Sequence, residues 1–195
     1  MAKKKFKIMK ELDMPKYKAY PFILSTGLSL LFLILSFLLW AISAIVKKHF
    51  ILSEMLGNYC GLTFMLCFAF TFCSILIGTK NIFGKIASAF AIIIFISVGS
   101  DFYQSSHLLY KDRIAYENKQ YETKVGVPLK VEYDNPDSGP EWLFELVFKD
   151  KTLYVHHLQI TRKDYDTYFK NKPLEILYLP NSLYVVEINV HKANK

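Results

Sequence analysis

The stretch Pro21–Val46, PFILSTGLSLLFLILSFLLWAISAIV, decides the class of this chain. It carries no charged side chain and is crowded with Leu, Ile, Phe and Ala. A bilayer core of about 30 Å needs about 20 helical residues at 1.5 Å rise, so the stretch is long enough to span it with some tilt. It is too long for the apolar region of a cleaved signal, about 7–15 residues, so it reads as an uncleaved first span. Working outward, Met55–Thr79 again lacks charge. A third run, the fifteen residues between Lys85 and Asp101, holds Ala91-Ile92-Ile93-Ile94-Phe95-Ile96. It reaches spanning length if it begins near Ile82 and Lys85 extends its ammonium to the head groups. Three transmembrane helices are therefore expected, at about 21–46, 51–79 and 82–102, after a basic segment 1–20.

Charge is divided unevenly. Residues 1–100 hold eleven lysines against three acids, whereas residues 101–195 hold thirteen basic residues against fourteen acids. Lys3, Lys4, Lys5, Lys7, Lys10, Lys16 and Lys18 precede the first span, and Lys47 and Lys48 follow it. Lysine-rich short flanks remain in the cytoplasm. The bias places the N-terminus inside a cytoplasmic membrane and, after three spans, the C-terminal domain outside. Only two arginines occur, and the C-terminal half has no basic excess, which argues against nucleic acid as a partner. The expected partners are the lipid bilayer and a protein, either a different protein or further copies of this chain.

The spans contain few polar flags. Glu54 lies at the start of the second and Asn58 one turn on, with Gly57 and Gly61 suggesting close helix packing. An interfacial Glu beside a small-residue face is the plain reading of this pattern. A polar site in an oligomeric channel or transport accessory is the alternative function it admits. Cys60, Cys67 and Cys73 all lie in the second span and read as small apolar residues.

From residue 114 to 190 the pattern changes to alternation. Leu129, Val131 and Tyr133 alternate with charged residues, and Trp142, Phe144, Leu146 and Phe148 define one face of a strand. Leu153, Val155 and His157, then Leu174, Ile176 and Tyr178, then Tyr184, Val186 and Ile188, continue the series. Asn135–Pro140, Lys149–Lys151 and Leu179–Ser182 supply turns. Thr161-Arg162-Lys163-Asp164 forms an N-cap signature for a short helix bearing Tyr165, Tyr168 and Phe169. Four or five antiparallel strands with one helix predict a small all-β barrel, SH3-like or OB-like.

Tyr116-Glu117-Asn118-Lys119-Gln120-Tyr121-Glu122-Thr123-Lys124-Val125 resembles the opening strand of a family of small bacterial membrane-attached β-barrel domains of unknown function. Phe169–Pro180 is similar to that family's last hairpin, with a departure at Leu179-Pro180-Asn181-Ser182, where an acidic Asp/Asn-Pro turn is usual. The resemblance implies fold and membrane attachment, and no catalytic residue.

Chemistry is sparse in this half. His156 and His157 are adjacent, so on a strand they face opposite ways and share no metal. No nucleophile elbow, HExxH or Walker lysine occurs, and no pair of carboxylates stands out for acid–base work. The reading is a non-enzymatic protein with no cofactor and no metal. Its many aromatics suit a protein interface. Tyr165 and Tyr168 are the expected contact residues. An accessory subunit and an immunity protein against an incoming toxin are the roles that fit.

Overall fold

In the computed structural model, residues 15–134 and 139–191 are described. The lysines at 3–10 and the loop residues 135–138 lie outside them. The chain divides into two compact units, 1–110 and 111–195.

The first unit is helical. Helices α1 (Lys16–Ile45), α2 (Phe50–Gly78) and α3 (Ile82–Glu117) have 30, 29 and 36 residues. All three are long and apolar enough to cross a membrane. Asn81 starts α3, its Oδ1 accepting the Phe83 N–H at 3.0 Å. The helix ends where Lys119 takes a left-handed φ of 55°. Large apolar side chains such as Leu31, Phe37, Trp40 and Ile93 stay exposed on these helices, as lipid-facing residues do.

Polar contacts set the α1–α2 pairing. Ser29 Oγ donates to the Cys67 carbonyl at 3.1 Å, Ser36 to Cys60 at 3.2 Å, and Ser43 to Ser53 at 3.1 Å. Both sides of the seam repeat every seven residues, Ser29/Ser36/Ser43 against Ser53/Cys60/Cys67/Ser74. Such a repeat keeps one face inward in a left-handed supercoil. Small side chains let the backbones approach, and each hydroxyl finds an acceptor where lipid offers none. Ser25 and Ser74 extend the seam at 2.7 Å, and Thr71 joins Ser29 at 2.7 Å. The α2–α3 contact is aromatic instead. Phe95 stacks on Phe68 and Phe72 at 5.0 and 5.6 Å, and the Phe102 ring lies where a Cβ on Gly61 would be, 2.8 Å away.

Among the described residues, the second unit carries the last turns of α3, six strands and one short α-helix. Strands β1 (Glu122–Gly126), β5 (Leu174–Tyr178) and β6 (Val185–Val190) form one antiparallel sheet, ordered β1-β5-β6. Strands β2 (Lys130–Asp134), β3 (Trp142–Val147) and β4 (Thr152–Tyr154) form another, ordered β2-β3-β4. Helix α4 (Arg162–Tyr168) lies between β4 and β5 in the chain. Thr161 caps it as the sequence predicts, accepting the Asp164 N–H at 3.1 Å. One core serves both sheets: Leu143, Leu146, Phe148, Leu153, Val155, Leu174, Ile176, Tyr178 and Val185 are buried together. The antiparallel pairing and the one short helix agree with the sequence reading, but there are six strands where four or five were expected, and no closed barrel is present among the described residues.

Two local expectations are overturned. Literal alternation put Phe144 with Leu146 on the core face. Register instead pairs Glu132 with Glu145 and Tyr133 with Leu143, so Phe144 is an extra residue in β3. This bulge turns Leu143 and Leu146 inward and leaves Phe144 39% exposed. Second, His156 and His157 do not sit on a strand. β4 ends at Tyr154, and His156–Leu158 form a 3-10 turn closed by Gln159 at φ 51°. Both imidazoles are half-buried against Tyr184, with ring centroids 5.4 and 5.5 Å from it. They are not one buried and one exposed residue on opposite faces.

Polar groups fix the connections. Asp112, in the last turns of α3 and fully buried, holds the Asn181-Ser182 turn. Its carboxylate accepts the Ser182 N–H and Oγ–H at 2.6 Å each, the Asn181 N–H at 3.1 Å and the Asn181 amide at 2.7 Å. A buried carboxylate with this many donors is well compensated for lost water. Polar groups also tie the two sheets to each other. Lys124 of β1 pairs with Asp150 of the β3–β4 turn at 2.6 Å, and the Tyr178 hydroxyl bridges Glu122 and Lys151. Burial raises the Tyr178 pKa, and the bond to Glu122 adds to the shift.

Candidate binding groove beside strand β2

The segment leading into β2 is apolar and unsheltered. Val125, Val127 and Leu129 are 47%, 49% and 74% exposed. Gly126 takes a φ of 154°, so the chain leaves β1 there in a conformation that favours glycine. Among the described residues β2 pairs in its sheet only with β3, so no strand covers its other edge. Side chains of β2 and α4 come together here. Between them runs a groove of about 250 Å³.

Val127, Leu129, Val131 and Tyr133 form one wall, and Arg162, Tyr165, Asp166 and Lys170 the other. Tyr133 meets Tyr165 edge to face at 6.3 Å, and the Arg162 guanidinium lies over the Tyr133 ring at 5.2 Å. Arg162 also bonds Glu141 at 2.7 Å, Lys130 bonds Glu132 at 2.7 Å, and Lys170 bonds Asp166 at 3.0 Å. Burial raises the Tyr133 pKa, with Asp166 adding to it and Arg162 opposing it. Burial, with Tyr133 and Asp166 nearby, pushes the Tyr165 phenol up to about 12. The groove thus offers neutral phenols, aliphatic walls and cations in exposed, exchangeable pairs. Such a lining can offer apolar contact, ring stacking and exchangeable ion pairs.

The two predicted contact tyrosines separate. Tyr165 is 3% exposed and belongs to the core, while Tyr168 is 60% exposed. Helical geometry is the reason. Phe169, four residues on, shares the inner face with Tyr165, whereas Tyr168 is turned outward. In the second span, Glu54 is half-buried, and Asn58 lies on the α2 face that includes Gly61 and Met65. The Asn58 Nδ2 is buried with no hydrogen-bond partner among the described residues. No group of three or more His, Cys, Asp or Glu among the described residues is placed to hold a metal ion.

The sequence reading missed the groove cations Arg162, Lys130 and Lys170. Their signal was the short helix following an edge strand with an exposed aliphatic lead-in. Each charge alone reads as an ordinary solvated residue. On comparison with known proteins, no family model, no curated protein and no solved structure matches this chain.

Proposed function

We propose that the chain is a non-enzymatic, multi-pass protein of a bacterial cytoplasmic membrane. Its open, SH3-like or OB-like β unit binds a protein partner on the extracytoplasmic side, as an accessory subunit or an immunity protein. One observation carries the reading: the aliphatic run Val125, Val127 and Leu129 is left in solvent beside a groove with an open strand edge. A soluble-facing surface that keeps such side chains uncovered favours an interaction site. Tyr168, exposed on α4, supplies the aromatic contact expected of an interface. The lysines before the first span support the orientation.

Two experiments test it. A reporter fused after Lys195 is expected to be active only outside the cytoplasm, and activity of a cytoplasm-restricted reporter contradicts the orientation. The full chain is then purified from membranes beside a Leu129→Ser/Tyr168→Ser variant. A co-purifying protein is expected with the first and lost with the second, at equal membrane insertion. Equal recovery from both removes this surface as the binding site.

A further inference from the structure

We infer that the groove between β2 and α4 takes an extended, acidic segment of the partner, added to the open edge of β2 as a fourth strand. The inference deepens the protein-binding reading and rests on it. Three observations select this occupant. First, among the described residues β2 has β3 on one side and no strand on the other, so alternate backbone N–H and C=O groups of β2 point away from β3 without a ladder partner. An extended chain satisfies them by continuing the ladder. Second, the groove is walled by side chains on both flanks. Val127 and Leu129 offer apolar contact on one, and α4 closes the other. Side chains alternating along an added strand would enter that channel at every second residue.

Third, charge selects the sign. Three cations, Lys130, Arg162 and Lys170, line the groove against one acid, Asp166. The acids that engage Lys130 and Arg162, namely Glu132 and Glu141, lie outside the lining. All three ion pairs are solvent-exposed and therefore weak, so an incoming carboxylate exchanges with them at little cost. Arg162 is the best placed, since its guanidinium already lies 5.2 Å from the Tyr133 ring centroid and its planar fork suits a carboxylate. A basic segment would meet the same edge with opposing charge.

The test uses the full chain in detergent micelles and three blocked octapeptides. One alternates Glu and Val, one alternates Lys and Val, and the third is the Glu/Val peptide with every second backbone nitrogen methylated. Fluorescence anisotropy reads binding, and amide hydrogen exchange reads protection of Lys130–Asp134. The Glu/Val peptide is expected to bind saturably and at least about tenfold tighter than either of the others, with slowed exchange along β2. Arg162→Gln is expected to weaken it about five- to tenfold. Lys170→Gln serves as a second variant should the first lose its fold by thermal unfolding.

Equal binding of the Lys/Val or the methylated peptide overturns the inference, as does absence of binding. Dimerisation of the free protein through this edge, detected by light scattering and lost on Lys130→Glu, also overturns it. If the peptides fail while Leu129→Ser/Tyr168→Ser still removes the co-purifying protein, the acidic-strand inference falls and the protein-binding reading stands. If that double variant retains the co-purifying protein, the reading itself falls.

Discussion

The α1–α2 seam and the core of the β unit solve the same problem with opposite materials. In the seam, Ser29, Ser36 and Ser43 meet Cys67, Cys60 and Ser53 through hydroxyl-to-carbonyl bonds, while most leucines of α1 are exposed. In the β unit, Leu143, Leu146, Leu174 and Ile176 are fully buried and most charges face solvent. The difference follows from the solvent. Water drives apolar surface together, so Leu and Ile specify the β core. Lipid does not distinguish a leucine on a neighbouring helix from one in an acyl chain, so small size and hydrogen bonding specify the seam. A mutation that is harmful in one region should therefore be mild, or harmful for a different reason, in the other.

The largest expected effect is at Asp112, where the β unit borrows the polar logic of the seam. Asp112→Ala leaves the buried Ser182 donors, and the Asn181 donors beside them, without this acceptor. It should destabilise the β unit by about 3–5 kcal/mol. Denaturant unfolding of the full chain in detergent, followed at the tryptophans of the β unit and α1, measures it. Asp112→Asn should recover part of the loss, because one carbonyl oxygen still accepts.

Next come the large-to-small changes. Leu146→Ala should cost about 2–5 kcal/mol, since its side chain is fully buried between the sheets. Phe144→Ala should cost clearly less in the same unfolding measurement, because the bulge places that ring at the surface. Equal losses would return Phe144 to the core face and remove the bulge.

The seam should respond in the reverse sense. Ser36→Leu overfills it and should cost about 1–3 kcal/mol, whereas Ser36→Ala loses one interhelical bond of about 0.6 kcal/mol. Reversible unfolding in bicelles separates the two. A tolerated leucine at position 36 would contradict close approach of the backbones.

The smallest effect is one of pH. The neutral Tyr165 phenol is favoured in the fold, with its pKa pushed up to about 12 by burial, Tyr133 and Asp166. The unfolded chain loses this proton near the ordinary value of about 10, the folded chain later. Stability from this group is therefore complete below about pH 10 and is lost as pH rises toward 12. Tyr165→Phe should flatten the alkaline limb of a stability-against-pH curve and leave neutral pH nearly unchanged.

The spans were legible in the sequence because length and missing charge are additive properties of a stretch. The short helix was legible too, since its cap is local: Thr161 and Asp164 lie three residues apart. What escaped was non-local or weakly coloured. Alternation in Trp142-Leu143-Phe144-Glu145-Leu146 hides a bulge, because either phase presents large apolar residues. Asp112 reads as a solvated helix residue, and its partners lie 69 and 70 residues away in the chain. The seam was half visible: Cys60 and Cys67 stood seven apart, but the serines opposite them carry no hydropathy signal. The sequence reading placed its expected contact residues, Tyr165 and Tyr168, on one short helix, α4. It could not tell which tyrosine turns inward, because on a seven-residue helix both choices satisfy the pattern.

The proposed partner site at the β2 edge can be tested in one measurement. A photo-crosslinking amino acid placed at position 129 in the full chain, in living cells, reports directly on what occupies the β2 edge; the same group at Glu187, exposed on β6, is the control. The account predicts a discrete protein adduct from position 129, absent from position 187 and lost with Arg162→Gln. Adducts of equal yield from both positions, or none from position 129, would contradict it.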